Sequence, residues 1–195
     1  MNKTAPIVMT FVVLLVAAAG SLTAPAASLP RKSPEFTIVE PSGKTTLLSS
    51  FKGKVVVMEF LFTGSPRCLN LVETLNKLNH ELGPRGFQPL AVAFGPDASV
   101  SVLTRLADHF KLTFPLGYST RDDVDIYLDR DRQANQILRI PQMVLIDRAG
   151  MIRATSGTKG DPRLENESSL RTLIEDLLKQ SRPEIHERKS KSGNR

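Results

Sequence analysis

The chain has 195 residues, with 26 Lys+Arg against 20 Asp+Glu, three His, one Cys, no Trp and 41% hydrophobic residues. That length supports one domain with a sizeable core rather than two small ones with meagre cores. A single cysteine excludes an internal disulfide framework, a multi-cysteine zinc site and a two-cysteine Cys-x-x-Cys redox centre.

Taken in chain order, the first element is a leader. Lys3 gives a positive start, Ile7 to Ala19 is an uncharged apolar run, and Ala24-Pro25-Ala26 has the small-x-small pattern that signal peptidase cuts after. The run is shorter than the ~20 residues of a bilayer-spanning helix, so residues 1–26 are read as a removed signal peptide rather than a membrane anchor. The protein is therefore expected to be exported, periplasmic or secreted.

Residues 33–180 read as the folded domain. Phe36–Val39 and Thr45–Leu48 flank the turn residues Pro41-Ser42-Gly43-Lys44 as a hairpin. Lys54–Phe62 (KVVVMEFLF) is a nearly continuous apolar run, the pattern of a central strand covered on both faces. Leu71, Leu75, Leu78 and Leu82 recur at helical spacing, and Gly83-Pro84 closes that helix. Phe87–Phe94 is a second buried strand. Asp97 is placed to cap a helix carrying Val102, Leu103, Leu106 and Phe110, and Phe114–Leu116 is a short strand. The charged stretch from Arg121 to Ile137 reads as a helix with a solvated acidic face. Met143–Ile146 and Met151–Thr155 form a hairpin around Asp147-Arg148-Ala149-Gly150. Leu170, Leu173, Ile174, Leu177 and Leu178 mark a final amphipathic helix. The predicted fold is α/β, a central mixed sheet with helices on both faces and a β-hairpin before it.

Residues 181–195 form a basic tail too poor in apolar side chains to repay its ordering entropy. Of the formal net charge of +6, the leader carries +1, the tail +3 and residues 27–180 only +2. A nearly neutral body argues against nucleic acid as a partner, because phosphate recognition needs positive charge clustered on the folded surface. His80, His109 and His186 lack mutual ligand spacing, and the Asp122–Asp131 group lacks the glycine and terminal glutamate of a calcium loop. No metal or cofactor is expected.

Two segments, SSFKGKVVVMEFLFTGSPRCLNLVETLNKL and ILRIPQMVLIDRAGMI, resemble the exported thioredoxin-like disulfide reductases of the TlpA and ResA type, within the broader redoxin group. The resemblance covers about Ser33 to Lys179. It implies a thioredoxin fold, a redox turn at the N-terminus of the first core helix, and a cis proline facing that turn. Pro141 matches the proline, with Ile140 beside it as the substrate-contacting pair.

The departure from that family lies in the turn itself, which reads Ser65-Pro66-Arg67-Cys68 where the relatives have Cys-x-x-Cys. In the family's chemistry a first thiol, lowered in pKa at a helix N-terminus, attacks the substrate disulfide, and a second resolves the mixed disulfide. A serine hydroxyl cannot do the first task. The turn also resembles in part the Pro-x-x-x-Thr/Ser-x-x-Cys of peroxiredoxins. Ser65 then falls on the hydroxyl position and Cys68 on the peroxidatic cysteine, with Leu61 in place of the proline and Arg67 or Arg139 standing in for the activating arginine.

Two functions follow from these residues. One is a thiol-based oxidoreductase acting through Cys68, with Ser65 and Arg67 assisting. Its substrate is a peroxide or a disulfide, and an external thiol recycles it. The other is a non-catalytic module that grips an extended peptide of a partner protein at Ile140 and Pro141, with Cys68 a buried relic and Ser65 no more than a helix cap. The sequence leaves oligomeric state open.

Overall fold

The computed structural model describes residues 29–130, 138–156 and 161–180. The leader and the basic tail lie outside them. The described residues carry eight strands: β1 (Arg31–Lys32), β2 (Thr37–Val39), β3 (Thr45–Leu47), β4 (Val55–Leu61), β5 (Phe87–Ala93), β6 (Leu116–Tyr118), β7 (Gln142–Ile146) and β8 (Met151–Thr155). Four α-helices accompany them: α1 (Pro66–Leu82), α2 (Val100–Phe110), α3 (Arg121–Tyr127) and α4 (Glu167–Lys179).

All strands join one sheet in the order β1-β8-β7-β4-β5-β6-β2-β3. β4, β5 and β6 run parallel, and β7 and β8 return antiparallel to β4 and to each other. The two steps β4-α1-β5 and β5-α2-β6 move across the sheet in the same direction. Right-handed crossovers therefore put α1 and α2 on one face. Leu71, Leu75 and Leu78 of α1, Leu103 of α2 and Leu170 and Ile174 of α4 pack there against Val55, Val57 and Leu61. The other face buries Val56, Met58 and Phe60 with Val124 and Tyr127 of α3 and Phe36 and Ile38 from the N-terminal hairpin. Every residue of β4 and β5 is buried, as the apolar runs require.

Gly117 lets the hairpin close onto β6. A Cβ there would stand 2.4 Å from Ile38 Cγ2 and 2.5 Å from the Val39 carbonyl oxygen. Only a residue without a side chain admits β2 at that distance.

Three sequence expectations shift. The cap of α2 is Ser99, not Asp97: Ser99 is extended and its hydroxyl accepts from the Val102 N–H at 3.4 Å, while the Asp97 carbonyl closes the preceding turn. The short strand is Leu116–Tyr118 rather than Phe114–Leu116, because Pro115 has no N–H to give the ladder. The helix expected from Arg121 to Ile137 ends at Tyr127, followed by Asp129 at φ 55°; residues 131–137 lie outside the described set. Its acidic face is not all solvated either. Asp125 is 5% exposed and ion-paired with Arg121 at 2.8 Å and Arg130 at 3.3 Å.

Candidate functional site

The Ser65-Pro66-Arg67-Cys68 turn leaves the end of β4 and opens α1. Ser65 is extended (φ −92°, ψ 113°), its hydroxyl accepts from the Cys68 N–H at 3.5 Å, and Pro66 occupies the first helical position. This satisfies one of the orphan donors of the helix start, and Pro66 has no N–H to leave orphaned. Ser65 is half-buried and Pro66 and Arg67 are exposed, whereas Cys68 is fully buried among the core side chains of that face.

That burial governs the thiol. It pushes the Cys68 thiol above its usual range, against the smaller opposing effects of the Ser65 hydroxyl and a backbone hydrogen bond at Phe62. Glu59 pushes it up further, and the Arg67 charge pulls it down least of all. A resting thiol of this kind is protonated at neutral pH, the opposite of an activated nucleophile.

Glu59 is a site residue that the sequence reading passes over. Side chains alternate across a strand, so Glu59 shares the α1-covered face of β4 with Val57 and Leu61, and therefore with Cys68. It is fully buried, and neither carboxylate oxygen has a hydrogen-bond partner. Burial raises its pKa well above the ordinary carboxyl value. The signal was visible as a lone carboxylate inside the otherwise apolar KVVVMEFLF run.

β7 brings the second part of the site. Phe60 pairs with Gln142, so Ile140 and Pro141 stand against the end of β4, where the turn departs. The Ile140-Pro141 bond is cis, as the resemblance implies. Pro141 is buried and Ile140 half-buried. The Gln142 side-chain amide donates to the Arg139 carbonyl at 2.6 Å and fixes the chain just before them. Between β4 and the turn, Phe62 is 39% exposed and lies against the Phe94 ring, centroids 4.9 Å apart.

Neither arginine offered as an activator of Cys68 is committed to the thiol. Arg67 donates to Glu165, which follows β8 in the turn Pro162–Glu165, and Arg139 lies 3.9 Å from the same Glu165 oxygen. Sequence reasoning had no signal for Glu165, which is distant in the chain and unremarkable in its local pattern. An open groove of about 560 Å³ between α1 and α2, lined by His80, His109, Lys77 and Glu81, lies toward the far end of α1 from the turn. Among the described residues no group of three or more His, Cys, Asp or Glu side chains is placed to hold a metal ion, and no helix is long and apolar enough to cross a membrane.

The redoxin family profile matches residues 26–174, most of the chain. The protein belongs to the redoxin family. This redoxin is 29% identical over 122 residues to the thiol-disulfide oxidoreductase ResA of Geobacillus kaustophilus, a match covering 62% of this chain and 64% of that relative. The match thus spans just under two thirds of the relative's length. Among solved structures, the redoxin is similar to a thioredoxin-family thiol:disulfide interchange protein of Chlorobium tepidum (TM-score 0.63, 19% identity, 78% of this chain and 99% of that one). It is also similar to a thiol:disulfide interchange protein of a Bacteroides species (TM-score 0.61, 22% identity, 83% and 97%). At these identities the structures establish the thioredoxin fold.

Proposed function

We propose that this protein is an exported redoxin of the thiol-disulfide oxidoreductase type. Its groove beside Ile140 and Pro141 receives an extended segment of a partner polypeptide, and its own thiol chemistry is confined to Cys68. The observation that carries the reading is the β4–β7 register, which sets Ile140 and Pro141 against the Ser65–Cys68 turn. Strand-like backbone hydrogen bonds to the chain just before β7 would supply affinity without demanding a fixed sequence. The family membership and the likeness to ResA support the substrate class, a protein thiol or disulfide. Export rests on the leader pattern of residues 1–26.

With Ser65 in the first position, two-thiol turnover is closed to the single chain. What remains is one exchange. The Cys68 thiolate attacks one sulfur of a partner disulfide, forming a mixed disulfide and releasing the partner's other sulfur as a thiolate, which takes up a proton. An external thiol then displaces Cys68 and returns it to the thiol. Because Cys68 is buried and its thiol pKa raised, this exchange proceeds only as the first turn of α1 opens. Peroxide chemistry is supported less well: Arg67 is hydrogen-bonded to Glu165, and Arg139 is paired over 3.9 Å with the same carboxylate rather than with the thiol.

The test is the reaction of the folded chain with glutathione disulfide, followed by mass spectrometry. A slow, reversible mixed disulfide at Cys68 is expected, its rate insensitive to glutathione disulfide concentration once opening limits it. If Cys68 stays unmodified until denaturant is added, the oxidoreductase reading fails. The same burial would then favour the second reading, a non-catalytic peptide-binding module with Cys68 as a core side chain.

A further inference from the structure

Two guanidinium groups flank the Ser65–Cys68 turn and Ile140, with one carboxylate between them. Arg67 immediately precedes Cys68 on the turn side, and Arg139 immediately precedes Ile140 on the β7 side. Both reach the same Oε2 of Glu165 through an Nη2: Arg67 by a direct hydrogen bond, Arg139 as an ion pair at 3.9 Å, too long for one. The side chains of Arg67 and Arg139 are 50% and 49% exposed, while that of Glu165 is only 11% exposed. The neighbouring Arg163 does not alter this balance, because it is closed onto Asp161 through three contacts of 2.6 to 3.0 Å. Among the described residues, these three groups carry one positive charge in excess, and Arg139 spends none of its hydrogen-bonding fork on Glu165.

We propose that this arginine rim selects an acidic partner segment: a Glu or Asp side chain of the extended polypeptide takes the Arg139 guanidinium while Glu165 stays with Arg67. The inference rests on the groove reading above and adds the chemical class of the occupant. A guanidinium binds a carboxylate through two parallel hydrogen bonds, which gives geometry as well as charge. Arg139 is one residue from Ile140, so a segment lying along Ile140 and Pro141 passes within reach of it. A lysine-bearing segment meets two like charges at the same place and is disfavoured.

The experiment uses three fluorescent heptapeptides of one alternating Val/Ala sequence that differ only in two positions, both Glu, both Gln or both Lys, titrated with the full chain and read by anisotropy. The Glu peptide is expected to bind about tenfold more tightly than the Gln peptide, with the Lys peptide weakest, and the difference should shrink in high salt. Arg139→Gln should remove most of the Glu-over-Gln preference. Glu165→Gln, which releases both arginines, should raise affinity for the Glu peptide. Equal binding of the Glu and Gln peptides would overturn the rim inference and leave the groove standing, as would a preference that survives Arg139→Gln and Arg67→Gln together. Failure of all three peptides to bind would overturn the groove reading and the inference with it.

Discussion

Glu59 lies on the same face of β4 as Cys68, so a buried acid with no hydrogen-bond partner and a buried thiol share one apolar space under the first turn of α1. Burial disfavours the charged form of each. Each makes ionisation of the other harder, because two negative charges in that space would repel without screening. The burial of Cys68 is why the thiol exchange proposed above requires the turn to open.

This arrangement has a pH signature. Burial raises the folded-state pKa of Glu59 above the ordinary value near 4.5, so the folded chain holds a proton that the unfolded chain releases. Stability then falls as pH rises above about 4.5, by up to about 1.4 kcal/mol per pH unit until the folded group itself ionises. Glu59→Gln should abolish that slope. The check is urea denaturation of both proteins from pH 4 to 8; parallel curves would show that Glu59 is not the buried acid responsible.

Restoring the missing thiol should restore part of the lost chemistry. Ser65→Cys places a sulfur at the N-terminus of α1, where the half-buried Ser65 now sits, with Cys68 three residues behind it to resolve. Insulin-disulfide reduction with a thiol reductant should rise from background to a measurable rate, and Ser65→Cys combined with Cys68→Ser should accumulate the mixed disulfide instead. A well-folded Ser65→Cys variant without activity would mean that more than the nucleophile has been lost.

As a cap, Ser65 contributes modestly. Its bond to the Cys68 N–H is long at 3.5 Å, so Ser65→Ala should cost about 0.5–1 kcal/mol, the lower part of the range for such caps. A loss of several kcal/mol in thermal or urea unfolding would assign the hydroxyl a larger role than capping.

Arg148 should matter more. Its guanidinium donates to the carbonyls of Gly53, Arg85 and Leu178 at 3.1, 3.1 and 3.3 Å, joining the entries to β4 and β5 to the end of α4. Arg148→Ala leaves those carbonyls to water or to nothing, at an expected cost of about 2–3 kcal/mol. Arg148→Lys should recover less than half of it, since one ammonium cannot address three carbonyls with a planar fork. Denaturant midpoints of the two variants give the comparison.

Gly117→Ala tests the hairpin. The added methyl meets the Val39 backbone, which cannot rotate away, and the expected cost is about 1–3 kcal/mol with loss of amide protection confined first to β2 and β3. Hydrogen exchange would locate it, and unchanged protection in Thr37–Leu47 would refute the close-approach argument.

Much of the fold was written in local pattern. Continuous apolar runs specified the buried strands β4 and β5, leucine spacing specified α1 and α4, and turn residues specified the two hairpins, because periodicity and turn chemistry act over a few residues. The errors were of the same local kind: two capping residues two positions apart, a strand start delayed by Pro115, and a helix stopped at Tyr127 where its acidic face turns inward at Asp125. Resemblance to the family singled out Ser65, Cys68 and Pro141, and the β4–β7 register sets Pro141 at the end of β4, where the turn departs.

The sequence by itself determined that one thiol exists and that a hydroxyl precedes it by three residues, which already closes two-thiol chemistry, since no packing can turn serine into a leaving sulfur. Tertiary structure decided what surrounds that thiol. Exposure, the neighbouring Glu59, the capture of Arg67 by Glu165 and the approach of Arg139 to the same carboxylate are relations between segments far apart in the chain, and they arise only when the sheet brings β4, β7 and the turn after β8 together. A lone cysteine gives a composition count; its burial beside a buried acid is a property of packing.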